Sequence, residues 1–223
     1  MNVRDQSGFV VFSKGDVGAA HVMAHQLLDS GQVELGHERL GRFLKGRDGA
    51  GSDWAHIQFH MAIFELAVGD WKAAYARFLE ELLPIAATSQ DALTDAPALA
   101  WRLALQSEGG SDPLPWEDLR RTALSNMARN PDPFVAMHNL LALAGADDSE
   151  SIGAWLEAHR ADTPTRSSDV LVRMAGALGA YARRNYRCAA GILRDVVPEL
   201  PSIGGSWAQN QLFTEMQARV AVA

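Results

Sequence analysis

Apolar residues recur at three- and four-residue spacing along almost the whole chain, and each run is soon cut by Gly, Asp, Asn or Pro. That period belongs to α-helices with one buried face. The frequent cuts forbid long helices, so a 223-residue chain of this pattern must pack many short ones. The spacing predicts helices over 16–30, 32–44, 54–68, 71–83, 91–106, 116–129, 134–144, 148–159, 170–183, 186–197 and 206–220. Ser52 or Asp53 is the expected N-cap of the third, and Pro115 fits a first helical position. Asp132-Pro133 is a further start signal. Residues 161–168 and 198–205 read as loops. Phe9 to Phe12 is a short extended piece, and no β-hairpin is expected.

Several joints share one grammar. In Leu66-Ala-Val-Gly-Asp-Trp-Lys-Ala-Ala74 and Ala182-Arg-Arg-Asn-Tyr-Arg-Cys-Ala-Ala190, a turn residue precedes an aromatic and then small alanines. Small residues at a crossing let paired helices approach closely. About eleven short helices built this way predict an all-α, tetratricopeptide-like right-handed α-solenoid of helix-turn-helix repeats. Residues 1–15 read as an N-terminal extension and 16–223 as one helical repeat domain.

Composition narrows the partners. Lys plus Arg total 20 against 27 Asp plus Glu, a net charge of −7. An acidic chain without a basic block excludes nucleic acid and anionic membrane as expected partners. Nothing resembles a signal sequence or a spanning helix, which predicts a cytoplasmic protein. The one cysteine, Cys188, rules out an intramolecular disulfide and a cysteine-based zinc site. Its alanine neighbours make it a small core residue.

Chemistry concentrates in the histidines. His21-Val-Met-Ala-His25 and His56-Ile-Gln-Phe-His60 are both His-x-x-x-His. Each pair sets two imidazoles on one helix face, a turn apart. The pairs are offset from 21 to 56 and from 25 to 60, close to the tetratricopeptide period of about 34 residues. Both pairs then fall on the first helices of adjacent repeats and converge in one groove. Imidazoles so placed suit zinc, iron or copper, with Glu65, Asp70 or Asp95 available to complete a set. Neither pair has the Glu of His-Glu-x-x-His, so a zincin mechanism is not supported. The alternative for the same residues is packing and hydrogen bonding within the helices. Arg102, in the apolar run 98–105, needs a partner if buried, and Asp95 or Glu65 is the candidate. It is otherwise a clamp for a carboxylate or phosphate. Ser206 and Gln209 form a capping box, or with Gly204 and Gly205 an anion site at a helix start. His138 opens a first helix toward the same groove, while His37 and His159 read as solvated. Trp54, Trp71, Trp101, Trp116 and Trp155 read as packing anchors.

The segments Ala20 to His25, His56 to Phe64, Asp95 to Leu103, Met137 to Asn139 and Ile203 to Gln209 occur in this order. Together they resemble the tetratricopeptide repeat protein 38 family, with its H-A-x-A-H, N-H-x-x-W-H-x-A-L-F, D-A-x-x-x-x-W-R-L, D-L-H and I-G-G-S-H-A-Q segments. The resemblance runs from about Asp16 to Val220. It implies an all-helical repeat fold and no established reaction. Glu65 and Trp207 stand where the family has histidines, and Met137 stands where leucine is usual.

Two functions follow as expectations. One is a groove lined by His21, His25, His56, His60, Asp95, Arg102 and His138, with Ser206 and Gln209 at its edge, that binds a peptide or small acidic ligand. The other is a metal-dependent enzyme with His21, His25, His56 and His60 as ligands and Glu65 or Asp95 as base, in hydrolytic or oxidative chemistry. Exposed terminal helices would also allow a homo-oligomer.

Overall fold

The apolar spacing becomes helix in the computed structural model, which describes residues 3–4, 10–11, 17–89, 92–107, 113–129, 131–161 and 165–221. The helices are α1 (Val17–Asp29), α2 (Val33–Leu44), α3 (Ser52–Ala67), α4 (Trp71–Arg77), α5 (Leu83–Ala86) and α6 (Ala92–Gln106). After them come α7 (Trp116–Met127), α8 (Pro133–Gly145), α9 (Ser149–His159), α10 (Arg166–Ala182), α11 (Tyr186–Val196) and α12 (Trp207–Val220). A π turn, Phe78–Leu82, joins α4 to α5 in one rod. Pro84 has no N–H and crowds the carbonyl of residue 80, and a local shift of hydrogen-bond register accommodates both. The protein is all-α apart from a small antiparallel pairing of Val3–Arg4 with Val10–Val11. That pairing corrects the expectation of no hairpin; Phe9 and Phe12 lie outside the described residues. Among the described residues no helix is long and apolar enough to cross a membrane.

Four joints are one turn, used four times. Gly31, Gly69, Asp147 and Arg184 each take a positive φ. The residue after each, Gln32, Asp70, Asp148 or Asn185, is the next N-cap, with φ between −81 and −91° and ψ between 62 and 69°. At each joint the left-handed residue donates its N–H three residues back, at 2.7–3.2 Å. The N-cap N–H reaches five back, at 2.8–2.9 Å. This is the Schellman closure, which satisfies the last carbonyls of a helix while reversing the chain. Asp70, Asp148 and Asn185 then accept from the N–H of Ala73, Ser151 and Cys188, satisfying orphan donors of the following helix.

The turns make hairpins, and the hairpins pack in sequence order. First helices touch first helices, as α1 on α3, α3 on α6, α6 on α8 and α8 on α10. Each second helix also packs on the next first helix, as α2 on α3, α5 on α6, α7 on α8 and α9 on α10. Three indole N–H groups staple these layers: Trp54 to Glu81 Oε2 at 2.9 Å, Trp71 to the Leu103 carbonyl at 3.1 Å and Trp101 to the Leu141 carbonyl at 2.8 Å. Gly36 lets α2 approach α3, because a Cβ there would stand 2.1 Å from the Phe64 ring. The last helix departs from the order. Beyond α11 and a 3-10 turn, Val197–Ser202, α12 returns to lie against α6 and α1. Ala208 joins the apolar cluster of α1, α2 and α3, while Leu212, Phe213, Met216 and Val220 join that of the later helices.

Some boundaries shift from the sequence reading. The N-cap of α3 is Gly51 rather than Ser52 or Asp53, and Pro115 is itself the N-cap of α7. The tenth helix starts at Arg166, capped by Thr165, so the expected loop is short. Cys188 is exposed rather than a core residue. The buried stripe of α11 runs through Ala189, Leu193 and Val196, one position off the cysteine. Arg184 sustains a left-handed conformation that disfavours a side chain. Arg184→Gly should therefore raise stability by about 0.5–1 kcal/mol, whereas Asn185→Ala, which deletes the adjoining cap, should lower it by about 1 kcal/mol. Urea denaturation of both variants checks the opposed signs.

Candidate metal centre

The two histidine pairs occupy equivalent helical positions. His21 and His25 lie four and eight residues after the first residue of α1, and His56 and His60 do so in α3. Because α1 packs on α3, the pairs meet face to face. His21 Nε2 lies 2.8 Å from His25 Nε2 and 3.0 Å from His56 Nε2. His56 Nε2 lies 3.2 Å from His60 Nε2. One ring nitrogen from each of the four falls within 4.8 Å of all the others. His60 is buried and the other three are half-buried.

Hydrogen bonding alone does not satisfy this arrangement. Each Nε2 carries either one proton or one lone pair. Four single-site nitrogens form at most two well-directed bonds, yet three close contacts are present. Four lone pairs directed at one cation satisfy all of them together. A tetrahedral ion with nitrogen ligands at ~2.0–2.1 Å sets those nitrogens about 3.3 Å apart. Three of the spacings, 2.8, 3.0 and 3.2 Å, are tighter than this and the remaining ones extend up to 4.8 Å, so side-chain movements in both senses would seat an ion. These four histidines are able to hold a metal ion.

An outer partner orients one ligand. His56 Nδ1 lies 2.7 Å from Asp95 Oδ2, so Nδ1 holds the proton and donates it to the carboxylate. The Nε2 lone pair is left for the cluster, as in carboxylate-histidine-metal arrangements. Asp95 is buried on α6, and its other oxygen lies 3.5 Å from Gln209 Nε2. Burial lowers the pKa of His21 and His25, helped by the charge of His56. For His60, burial followed by the charges of His56, His25, His21 and Arg102 pushes it well below 6.5. Burial opposes protonation of His56 too, but the hydrogen bond and charge of Asp95 outweigh it and raise its pKa. Three of the four ligands are thus held in the neutral form that a metal requires.

A cavity of about 440 Å³ adjoins the cluster, lined by Val17, Gly18, His21, Ser52, Asp53, His56, Thr94, Asp95 and Gln209. Neither His25 nor His60 lines it, so the cavity meets the cluster on its His21–His56 side. Val17 and Gly18, like Ser52 and Asp53, stand four and three residues before a cluster histidine. That spacing repeats the face of the histidine itself and is a signal the sequence carries. Thr94 simply neighbours Asp95.

Several expected members lie elsewhere. Glu65 is neither ligand nor base here: Arg77 holds it through Nε at 2.9 Å and Nη2 at 2.6 Å, while Nη1 binds Gln58 Oε1. Asp70 is spent as an N-cap. Arg102 is buried as expected but forms no ion pair with Asp95 or Glu65. It donates to the carbonyls of Ala98, at 3.3 Å, and Ala208. Burial lowers its pKa to about 10, against the opposing charges of Glu215 and Asp95, and it stays cationic at neutral pH. His138 does not join the cluster or line the cavity. Its Nδ1–H donates to the Phe134 carbonyl at 2.8 Å, its Nε2 is buried without a partner, and its ring packs against Phe134 and Phe213. Burial lowers its pKa. Ser206 and Gln209 form the capping box, which closes that helix start against an anion. Gly205 makes room for the Phe134 ring, 2.6 Å from where its Cβ would be, rather than for a ligand. His159 is not simply solvated, since it stacks on Trp155. No protein-family model matches the sequence, and no solved structure is a significant match.

These pKa shifts give the metal-free protein an acid sensitivity. His21, His25, His60 and His138 are lowered, so below about pH 6.5 the unfolded chain binds protons that the folded chain resists. Their contribution makes stability fall as pH falls through that value. The raised His56 acts oppositely, stabilising the fold below 6.5 and losing that contribution as pH rises through its shifted value. Four groups against one should give a net loss on acidification. Urea midpoints of chelator-treated protein at about pH 7.5 and about pH 5.5 should show the lower stability at the acid value.

Proposed function

We propose that this protein binds one divalent transition-metal ion through His21, His25, His56 and His60 and presents it to a small molecule in the adjoining cavity. The observation that carries this reading is the convergence of four ring nitrogens that cannot all satisfy one another by hydrogen bonds. Imidazole ligands suit zinc, copper and iron. The ion's contribution would be Lewis acidity or redox chemistry toward a group brought beside it. Of the two carboxylates weighed as bases, Asp95 keeps contact with the cluster through His56, whereas Glu65 is tied to Arg77. A tetratricopeptide-like solenoid is the fold reading that accompanies this one. The recurring turn, the ordered contacts between first helices, and the resemblance to the tetratricopeptide repeat protein 38 family support it. In such a solenoid the first helices line the concave face. Here α12 lies against α1 and α6 and touches His138 of α8. That placement favours a small molecule over an extended peptide as the occupant of what remains.

Elemental mass spectrometry of untagged protein, purified without chelator, tests the reading. The expected result is one divalent transition ion per chain, lost in His60→Ala. Asp95→Asn keeps all four ligands and should weaken metal affinity by about 10–100-fold. Protein that takes up no stoichiometric zinc, iron or copper even on incubation would reduce the histidines to packing groups.

A further inference from the structure

We propose that the four-histidine site selects copper(II), held in a flattened, near-square arrangement rather than in the tetrahedron that zinc takes. This rests on the metal reading above and names the ion. The arrangement begins with the helices. His21 and His56 are equivalent positions of α1 and α3, as are His25 and His60. Equivalent residues face each other, with ring centroids 4.8 Å apart for His21 and His56 and 4.4 Å apart for His25 and His60. Within each helix the two rings are one turn apart, and their centroids are separated by 4.5 Å in α1 and 4.7 Å in α3. Two helices side by side in register thus set four imidazoles at the corners of a quadrilateral. A tetrahedron would need one pair turned across the other.

The distances carry the same pattern. A regular tetrahedron has six equal edges. Here four sides of 4.4–4.8 Å stand against diagonals of 5.1 Å, His21 to His60, and 6.4 Å, His25 to His56. The three close Nε2 contacts, at 2.8, 3.0 and 3.2 Å, are all sides of that quadrilateral. With nitrogen ~2.0 Å from the ion, a square puts neighbouring nitrogens about 2.8 Å apart and a tetrahedron about 3.3 Å. The observed sides span that interval, and the shortest stands at the square value. Adjacent ring planes cross at 67–77°. Rings set like propeller blades fit around one plane without colliding. Tetragonal nitrogen sites belong to copper(II) and nickel(II), and copper(II) binds the tighter of the two. Zinc has no d-electron preference and its structural sites are tetrahedral, so flattening gains it nothing. The cluster offers imidazoles only, without a thiolate to favour copper(I).

Copper(II) outranks zinc at most nitrogen sites, so affinity alone does not test the geometry, whereas electron paramagnetic resonance does. Chelator-stripped protein is loaded with one equivalent of copper(II). The expected spectrum is axial, with the wide parallel copper splitting of a tetragonal ion and superhyperfine structure from four nitrogens. His25→Ala, at a half-buried corner of the quadrilateral, should lose one nitrogen from that pattern and weaken copper binding at least about tenfold. Three results would overturn this inference: the narrow parallel splitting of a tetrahedral ion, fewer than four nitrogens in the parent protein, or a spectrum that His25→Ala leaves unchanged. One zinc per chain, lost in His60→Ala, would then leave the metal reading standing. Protein that binds no zinc, iron or copper would overturn both.

Discussion

The left-handed turn that closes four of the helical hairpins, α1–α2 and α3–α4 among them, is the constraint from which the candidate site follows. At Gly31 and Gly69 two backbone hydrogen bonds fix where one helix stops and the next begins. Fixed hairpin length brings α1 and α3 together in equivalent register. A one-residue slip of either helix would rotate its histidines by about 100° and separate the pairs. The cluster is therefore a property of how α1 and α3 pack and not of any loop. Ligands on helices are held more closely to a working geometry than ligands on mobile segments. Close helix approach matters as well, and Gly36 against Phe64 helps hold the first hairpin to α3.

The last helix adds a wall to the cavity beside this frame through Gln209. Arg102 is central to that step, although it touches neither the histidines nor a carboxylate. By donating to Ala98 of its own helix and Ala208 of α12, it ties the start of α12 to α6. Gln209 is thereby placed beside Asp95, and Asp95 orients His56. A buried cation is expensive unless paired, and here carbonyl dipoles and the face of Phe59, 5.7 Å from its guanidinium carbon, serve in place of an anion. Arginine suits this role better than lysine, because its planar fork reaches two carbonyls while staying charged.

What the sequence made legible is what depends on short, periodic spacing. The helices, the two histidine pairs, the capping box at Ser206 and the start at Asp132 all follow from residues within one or two turns of each other. Pairings across the fold were not legible. Glu65 found Arg77 on the following helix, a side chain that the apolar pattern gave no reason to single out. Arg102 found carbonyls, which every residue carries and no sequence distinguishes. His138 is buried like His60 but has no histidine at four-residue spacing; Phe134 stands there instead, and the ring packs against it. Cys188 shows the opposite case. Its alanine neighbours suggested burial, but the stripe of Ala189, Leu193 and Val196 gives the buried face and leaves the thiol outside.

The cost of assembling the cluster without an ion is itself informative about its purpose. His60 is buried with Nδ1 unpartnered, and its neutral form is enforced by burial and by three neighbouring imidazoles. Such a group contributes less than an apolar side chain of similar shape would, because an unsatisfied buried polar atom destabilises by about 1–3 kcal/mol. A purely structural role would be served better by leucine or phenylalanine at each of the four positions. Nor does hydrogen bonding account for the four together, since four single-site nitrogens form at most two bonds and three contacts are present. A shared cation removes the second objection, as it uses every Nε2 lone pair, and it gives the burial of His60, whose Nδ1 stays without a partner, a purpose that packing does not. The Asp95 contact then gains a second meaning: it fixes the His56 tautomer that coordination requires and draws α6 and α12 into the same unit.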